Sequence, residues 1–148
     1  MRTILHSDLN NFYASVECRR NPLWKEHPLC VCGDPRDRHG IVLAKNYIAK
    51  NMGIKTGMVL WQARQICPNI ICVIANFDEY IAFSRKVRSI YEDYTDRIEP
   101  FGIDEAWLDV TESKALLGDG ASIARGKSAL RRRWVLVLTK FLQNLALI

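Results

Sequence analysis

A chain of 148 residues with 49% hydrophobic and 25% charged residues can bury a real core and has the balance of an ordinary globular domain. No apolar run is long enough to span a bilayer, and the N-terminus enters a short strand directly, so neither a signal peptide nor a membrane partner is expected. The net charge of +5 suits a polyanionic partner as well as a plain solvated surface, and much of it sits in Arg125, Lys127 and Arg131 to Arg133. The five cysteines are odd in number and scattered. Cys30 and Cys32, two apart in one strand, lack a second pair at ligand spacing, so they read as buried free thiols of a reducing cytoplasm rather than a zinc site.

In chain order, residues 2–8 read as a central strand, and Asn10 or Asn11 as the cap of a helix reaching about Arg19, with Phe12 and Val16 on one face. Leu29 to Val31 is a short strand, Gly33-Asp34-Pro35 a turn, 36–39 a polar loop, and Ile41 to Ala44 a further strand. Asn46 to Met52 forms a short helix closed by Gly53, and Val59 to Cys67 a second, stopped at Pro68. Ile70 to Ala75 is β-branched and apolar, hence a strand. Phe77 to Tyr94 gives the clearest helix, since Tyr80, Phe83, Val87, Ile90, Tyr91 and Tyr94 share a face that reads as core. Glu112 to Leu117 is a helical turn broken by Gly118-Asp119-Gly120.

The chemistry concentrates in two stretches. In F-G-I-D-E-A-W-L-D-V, residues 101–110, Ala106, Leu108 and Val110 alternate with Trp107 and Asp109, the period of a half-buried strand. Asp104 and Glu105 open it. Adjacent strand residues point to opposite faces, so both acids serve one site only at a strand end or bend, which Pro100 and Gly102 supply. Asp8 ends the apolar run Thr3-Ile4-Leu5 in the same manner. Carboxylates beside buried strands are costly unless paired, and a divalent cation is a common partner. The alternative, left open by spacing alone, is that Asp8 caps the next helix and Asp104 belongs to a turn.

These stretches resemble the signature motifs of Y-family DNA polymerases, the lesion-bypass class. The match runs through I-L-H-S-D-L-N-N-F-Y-A-S-V-E, G-I-D-E-A-W-L-D-V and, between them, N-Y-I-A-K-N-M-G-I-K-T-G-M. The resemblance covers Met1 to about Ala124 and implies an α+β fold: an incomplete polymerase palm with a mixed sheet and packed helices, carrying a small helical fingers region over about residues 20–76. It implies template-directed nucleotidyl transfer with primer-template DNA and deoxynucleoside triphosphates. Asp8, Asp104 and Glu105, with the Leu9 carbonyl, would hold two magnesium ions, manganese being an alternative. Tyr13 falls at the sugar gate, where a ring excludes a ribose 2′ hydroxyl, and Tyr47 and Lys50 fall where the triphosphate is gripped. Lys50 replaces the family's usual Arg and loses its bidentate fork, and Gly102 replaces the usual Ser, implying a looser turn before Asp104.

After about Ala124 the resemblance fades. Residues 125–148 read as a basic and then apolar tail, out of frame with the family, in which neither the family's helix nor its strand is visible. The apolar run Val135 to Leu138 is expected to be a solubility liability that truncation after Ala124 would remove. The family's thumb, its extra DNA-binding domain and its sliding-clamp contact have no counterpart here, so this chain alone is expected to extend primers little. A rival reading is therefore a non-catalytic fragment with weak DNA or nucleotide binding. A nucleotide cyclase also uses paired acids on palm strands, but the stretch Asn46 to Lys50 argues against it.

Overall fold

The computed structural model describes residues 2–36, 40–113, 115, 118–120, 123 and 144–147. The chain divides into two compact units, Met1–Asn10 with Ile81–Ile148 and, inserted between them, Asn11–Tyr80. Helices and mixed sheets together make it α+β.

The first unit is built on β1, Ile4–Asp8, and β6, Glu105–Asp109. Both alternate as their sequences require. Leu5 and Ser7 of β1 and Ala106 and Leu108 of β6 are buried, while His6, Asp8, Glu105 and Trp107 stay half-buried. The two strands run antiparallel in a register that sets Leu5 opposite Leu108, His6 opposite Trp107 and Asp8 opposite Glu105. A one-residue slip would turn the apolar pair outward, so burial fixes which acids meet. β5, Ile98–Pro100, pairs with the far edge of β6, and β7, Asn144–Leu147, pairs antiparallel with the far edge of β1, giving the order β5-β6-β1-β7.

β7 differs from expectation, because the tail contributes a strand to the sheet. Its backbone supplies the ladder partners that make β1 a central strand instead of an exposed edge. The run Val135 to Leu138 lies outside the described residues, as do 37–39 and part of 112–117.

Helix α4, Phe77–Tyr91, spans the division between the units. It ends three residues before Tyr94, because the amides of Tyr94 and Thr95 both turn back onto the Tyr91 carbonyl, at 2.9 and 3.1 Å. Asp78 and Glu79 in its first turn and Arg88 in its last complement the helix dipole. Within the first unit Val87, Ile90 and Tyr91 are buried. The Tyr91 hydroxyl shares a buried hydrogen bond of 2.5 Å with Ser7 Oγ, which fixes α4 beneath β1. Burial pushes the Tyr91 phenol up to about 12.

The second unit opens with α1, Phe12–Arg20. Asn11 sits at its N-cap with a positive φ of 50°, but its side chain makes no capping bond, so the expected cap is one of position only. A three-stranded sheet of order β3-β2-β4 follows, from β2 (Leu29–Cys32), β3 (Val42–Lys45) and β4 (Ile71–Ile74). β2 runs antiparallel to β3 and parallel to β4. Between β3 and β4 lie α2, Tyr47–Asn51, and α3, Leu60–Ile66. Asn46 anchors α2: its side-chain oxygen accepts from the amides of Ala49 and Leu29, and its amide donates to the His27 carbonyl at 2.7 Å. Gly53 takes φ 94° just after α2, a conformation that favours glycine.

Truncation after Ala124 tests the tail strand. Because it removes the ladder that covers β1, it is expected to lower the melting temperature and the solubility of the chain, measured by thermal unfolding and by partition after centrifugation. An unchanged or higher melting temperature would show that β7 adds nothing to the sheet.

Candidate active site

In the first unit the structure places Asp8, Leu9, Asp104 and Glu105 at one end of the β1–β6 ladder. Directly opposed residues of an antiparallel pair project from the same face, so the register puts the Asp8 and Glu105 carboxylates side by side. Asp104 lies in the bend just before β6, as the Pro100 and Gly102 signals require. That bend is held from several directions. Leu9 N–H donates to the Asp104 carbonyl at 3.0 Å, continuing the ladder one step past Asp8. The amides of Phe101 and Gly102 both donate to the Glu105 carbonyl, at 3.1 and 3.3 Å. Arg88 reaches from α4 to the Gly102 carbonyl at 2.7 Å. The turn expected to be loose at Gly102 is thus fixed by backbone bonds. A Cβ there would come no closer than 3.8 Å to the Asp104 side chain, an ordinary contact, so a serine would fit.

The electrostatics follow from this geometry. Partial burial raises the Asp104 carboxyl above the usual carboxylate range, and the charges of Asp8 and Glu105 push it the same way. Asp104 and Glu105 line a small, shallow, solvent-open cleft with Leu9, Arg88 and Tyr91. The donors are hard oxygens, which fit a magnesium-type ion. Among the described residues no three acidic, histidine or cysteine side chains close into a ready-made cage. An ion of that kind keeps several waters and is commonly held by one or two carboxylates together with substrate phosphates, not by an all-protein cage.

Two neighbours on this face carried no signal in the sequence. His6 stacks on Trp107 with centroids 4.3 Å apart, and its Nε2 lies 3.5 Å from Glu105 Oε2 without making a hydrogen bond. Asp109 is held by Arg2 at 2.8 Å and by Thr111 at 2.5 Å, and these bonds keep its carboxyl well below the usual range. Asp109 is thereby committed to the far end of β6.

The other expected residues belong to the second unit. Tyr13, on α1, is half-buried and stacks on Tyr80 with centroids 4.5 Å apart and planes 16° from parallel, and Phe77 meets it edge-on. Tyr80 is itself fixed: its hydroxyl donates to Glu17 Oε1 at 2.7 Å, and Glu17, fully buried, is paired with Arg20 at 2.9 Å. Desolvation and the Glu17 carboxylate together raise the Tyr80 phenol. Glu17 is the last residue of A-S-V-E, but nothing in its spacing shows that it holds a tyrosine 63 residues away. Tyr47 and Lys50 lie three apart on α2, both exposed, with Lys50 Nζ 5.8 Å from the Tyr47 ring centroid.

Comparison with known proteins places the chain in a family. Residues 7–136, which include Asp8, Leu9, Tyr13, Tyr47, Lys50, Asp104 and Glu105, match the family model described as the impB/mucB/samB family, and the match runs past Ala124. The chain belongs to that family, the Y-family DNA polymerases. It is 58% identical over 123 residues to a DNA polymerase IV of Acetivibrio thermocellus and 42% identical over 125 residues to one of Protochlamydia amoebophila. These stretches cover 83% and 84% of this chain but 31% and 35% of the relatives, so the chain spans about a third of their length. Among solved structures, an insertion ternary complex of Dbh DNA polymerase superposes with a TM-score of 0.81 at 31% identity, covering 100% of this chain and 42% of the other. DinB from Sulfolobus solfataricus superposes at 0.79 with 32% identity, covering 99% of this chain and 41% of the other. Among the described residues, no helix is long and apolar enough to cross a membrane.

The supporting bonds make two outcomes measurable. Tyr80→Phe removes one partner of the buried Glu17 and is expected to cost roughly 1.5–3 kcal/mol, read by urea unfolding. A loss below a few tenths of a kcal/mol would show the bond to be dispensable. A carboxyl raised on folding destabilises the fold above its folded pKa and ceases to do so as pH falls towards its unfolded value. Asp104→Asn is therefore expected to raise the melting temperature at pH 7 without divalent ions, with the gain shrinking as the pH approaches 4. A lower melting temperature for the variant at pH 7 would contradict the electrostatics described here.

Proposed function

We propose that this chain is the front part of a DNA-directed DNA polymerase of the lesion-bypass class. In that reading it supplies a partial palm and the fingers for template-directed nucleotidyl transfer in the cytoplasm. The observation that carries the reading is the β1–β6 register, which sets Asp8 opposite Glu105 and ties Asp104 to Leu9 at the same strand end.

Asp8, Asp104, Glu105 and the Leu9 carbonyl would hold two magnesium ions, with manganese able to substitute. When bound, such ions lower the charge barrier between a primer 3′ hydroxyl and the α-phosphate of an incoming deoxynucleoside triphosphate. The chain's own part is positional. The fixed bend keeps the Asp104 backbone beside Asp8, and the cross-strand pairing keeps Glu105 on the same face. Tyr13, stacked on Tyr80, presents a ring whose orientation is set by the Glu17 bond, and a ring there excludes a ribose 2′ hydroxyl. Tyr47 and Lys50 offer a hydroxyl and a cation for the triphosphate, and Lys50 does so as a point charge rather than a planar fork. Primer-template DNA is the macromolecular partner.

Replacing the corresponding first third of the Acetivibrio thermocellus relative with residues 1–123 of this chain tests the reading in a complete polymerase. Magnesium-dependent primer extension is expected. It should fall by at least about a hundredfold in Asp8→Asn or Asp104→Asn, because each removes a carboxylate that would hold the ions stabilising the reacting phosphate. Tyr13→Ala should raise ribonucleotide incorporation relative to deoxyribonucleotide. A chimaera that extends primers equally well without Asp8 or Asp104 overturns the site, and an unchanged sugar ratio assigns Tyr13 to the core.

In the 148-residue chain itself, magnesium or manganese is expected to raise the melting temperature in a concentration-dependent way. The shift should shrink in Asp8→Asn. An equal shift in that variant places the ions elsewhere.

A further inference from the structure

The second unit carries a group of thiols that nucleotidyl transfer does not use. Cys30 on β2 and Cys72 on β4 are direct partners across a parallel strand pair. Their side chains leave the same face, and their sulfurs lie 3.6 Å apart with Cys30 donating to Cys72. Paired neighbouring strands run about 4.8 Å apart, within the roughly 4.4–6.8 Å Cα separation that a disulfide bridges. The two sulfurs can therefore join with side-chain movement and little change in the backbone.

The pair is asymmetric in a way that suits stepwise oxidation. Cys30 is fully buried, whereas Cys72 is half-buried and within reach of solvent. Arg64 on α3 stands near Cys72, where its charge and hydrogen bonding favour a thiolate. The other cysteines are placed differently. Cys32 turns its thiol to the Val73 carbonyl at 3.4 Å, Cys67 is enclosed in the core at the end of α3, and Cys18 lies on α1.

We propose that Cys72 and Cys30 form an oxidant-sensitive dithiol site that hydrogen peroxide closes into a disulfide across β2 and β4. Cys72 is the thiol of the pair within reach of solvent, and the bond donated by Cys30, with Arg64, lowers it while the same bond and burial push Cys30 up. Cys72 is therefore the nucleophile and Cys30 the resolving thiol. In the first step the Cys72 thiolate attacks one peroxide oxygen, the O–O bond breaks, and hydroxide leaves and takes up a proton as water. Cys72 is then a sulfenic acid. In the second step the Cys30 sulfur attacks the Cys72 sulfur, the S–O bond breaks, and the departing hydroxide takes the Cys30 proton. Two thiols and one peroxide become one disulfide and two waters.

The bond would link positions 42 residues apart and enclose β3, α2 and α3 in a covalent loop. It follows from the β2–β4 pairing alone and holds whether or not the chain acts in a polymerase.

The test uses the reduced 148-residue chain, freed of reductant, treated with hydrogen peroxide, blocked with N-ethylmaleimide and digested with trypsin. The expected product has lost two hydrogens and links peptides 26–36 and 65–85. Each peptide holds two cysteines, so fragmentation must place the bond on Cys30 and Cys72. The melting temperature should rise on oxidation and return on treatment with dithiothreitol. Cys72→Ser should abolish the link, and Cys30→Ser should leave a sulfenic acid at Cys72 that dimedone traps. Folding of both variants is checked by circular dichroism, and the wild-type peptide map decides the question even if neither folds. Peptides that remain unlinked after peroxide consumption, or a bond placed on Cys32 or Cys67, would overturn the proposal.

Discussion

Two carboxylates stand opposite one another where β1 meets β6, and the rest of the first unit leaves them no alternative position. Leu5 and Leu108 must both point inward, so the register is set by apolar burial. Asp8 and Glu105 meet as a consequence. Like charges directly across an antiparallel pair cost up to about 1 kcal/mol, and Asp104 in the adjoining bend adds to that repulsion. A bound cation reverses the sign of the interaction without moving the backbone.

The surrounding bonds are arranged to keep that cluster in place. Arg88 and the Phe101 and Gly102 amides secure the bend, Leu9 ties it to the end of β1, and the Ser7–Tyr91 bond fastens β1 to α4 from its buried face. In the second unit the same economy appears around Tyr13. Its ring is oriented by stacking on Tyr80, and Tyr80 is oriented by a buried carboxylate that Arg20 partly neutralises. Side chains held by packed neighbours and hydrogen bonds are pre-organised.

Local signals carried much of this into the sequence. The alternation of Ala106, Leu108 and Val110 marked β6, the Pro100 and Gly102 pair placed Asp104 in a bend, and Asn46 with Gly53 bracketed α2. What stayed hidden depended on partners far along the chain. The Cys30–Cys72 pairing exists only because β2 and β4 are parallel neighbours, and the Glu17–Tyr80 bond spans 63 residues. The strand at Asn144–Leu147 had no readable period, since it is fixed by the open edge of β1 more than by its own pattern. Asn11 looked like a helix cap by residue type, but it sits at the N-cap in a left-handed conformation and its side chain makes no capping bond.

The central claim is that the β1–β6 register creates a repulsion meant for cations, and a double-mutant cycle on Asp8→Asn and Glu105→Gln measures it directly. Unfolding free energies of the four proteins are compared with a chelator and again with millimolar magnesium. With chelator, each substitution should stabilise the chain, and the double variant should gain less than the two single gains added together, because one repulsion is relieved only once. With magnesium, each single substitution should destabilise instead. Strict additivity with chelator, or the same sign of effect in both conditions, would contradict the account.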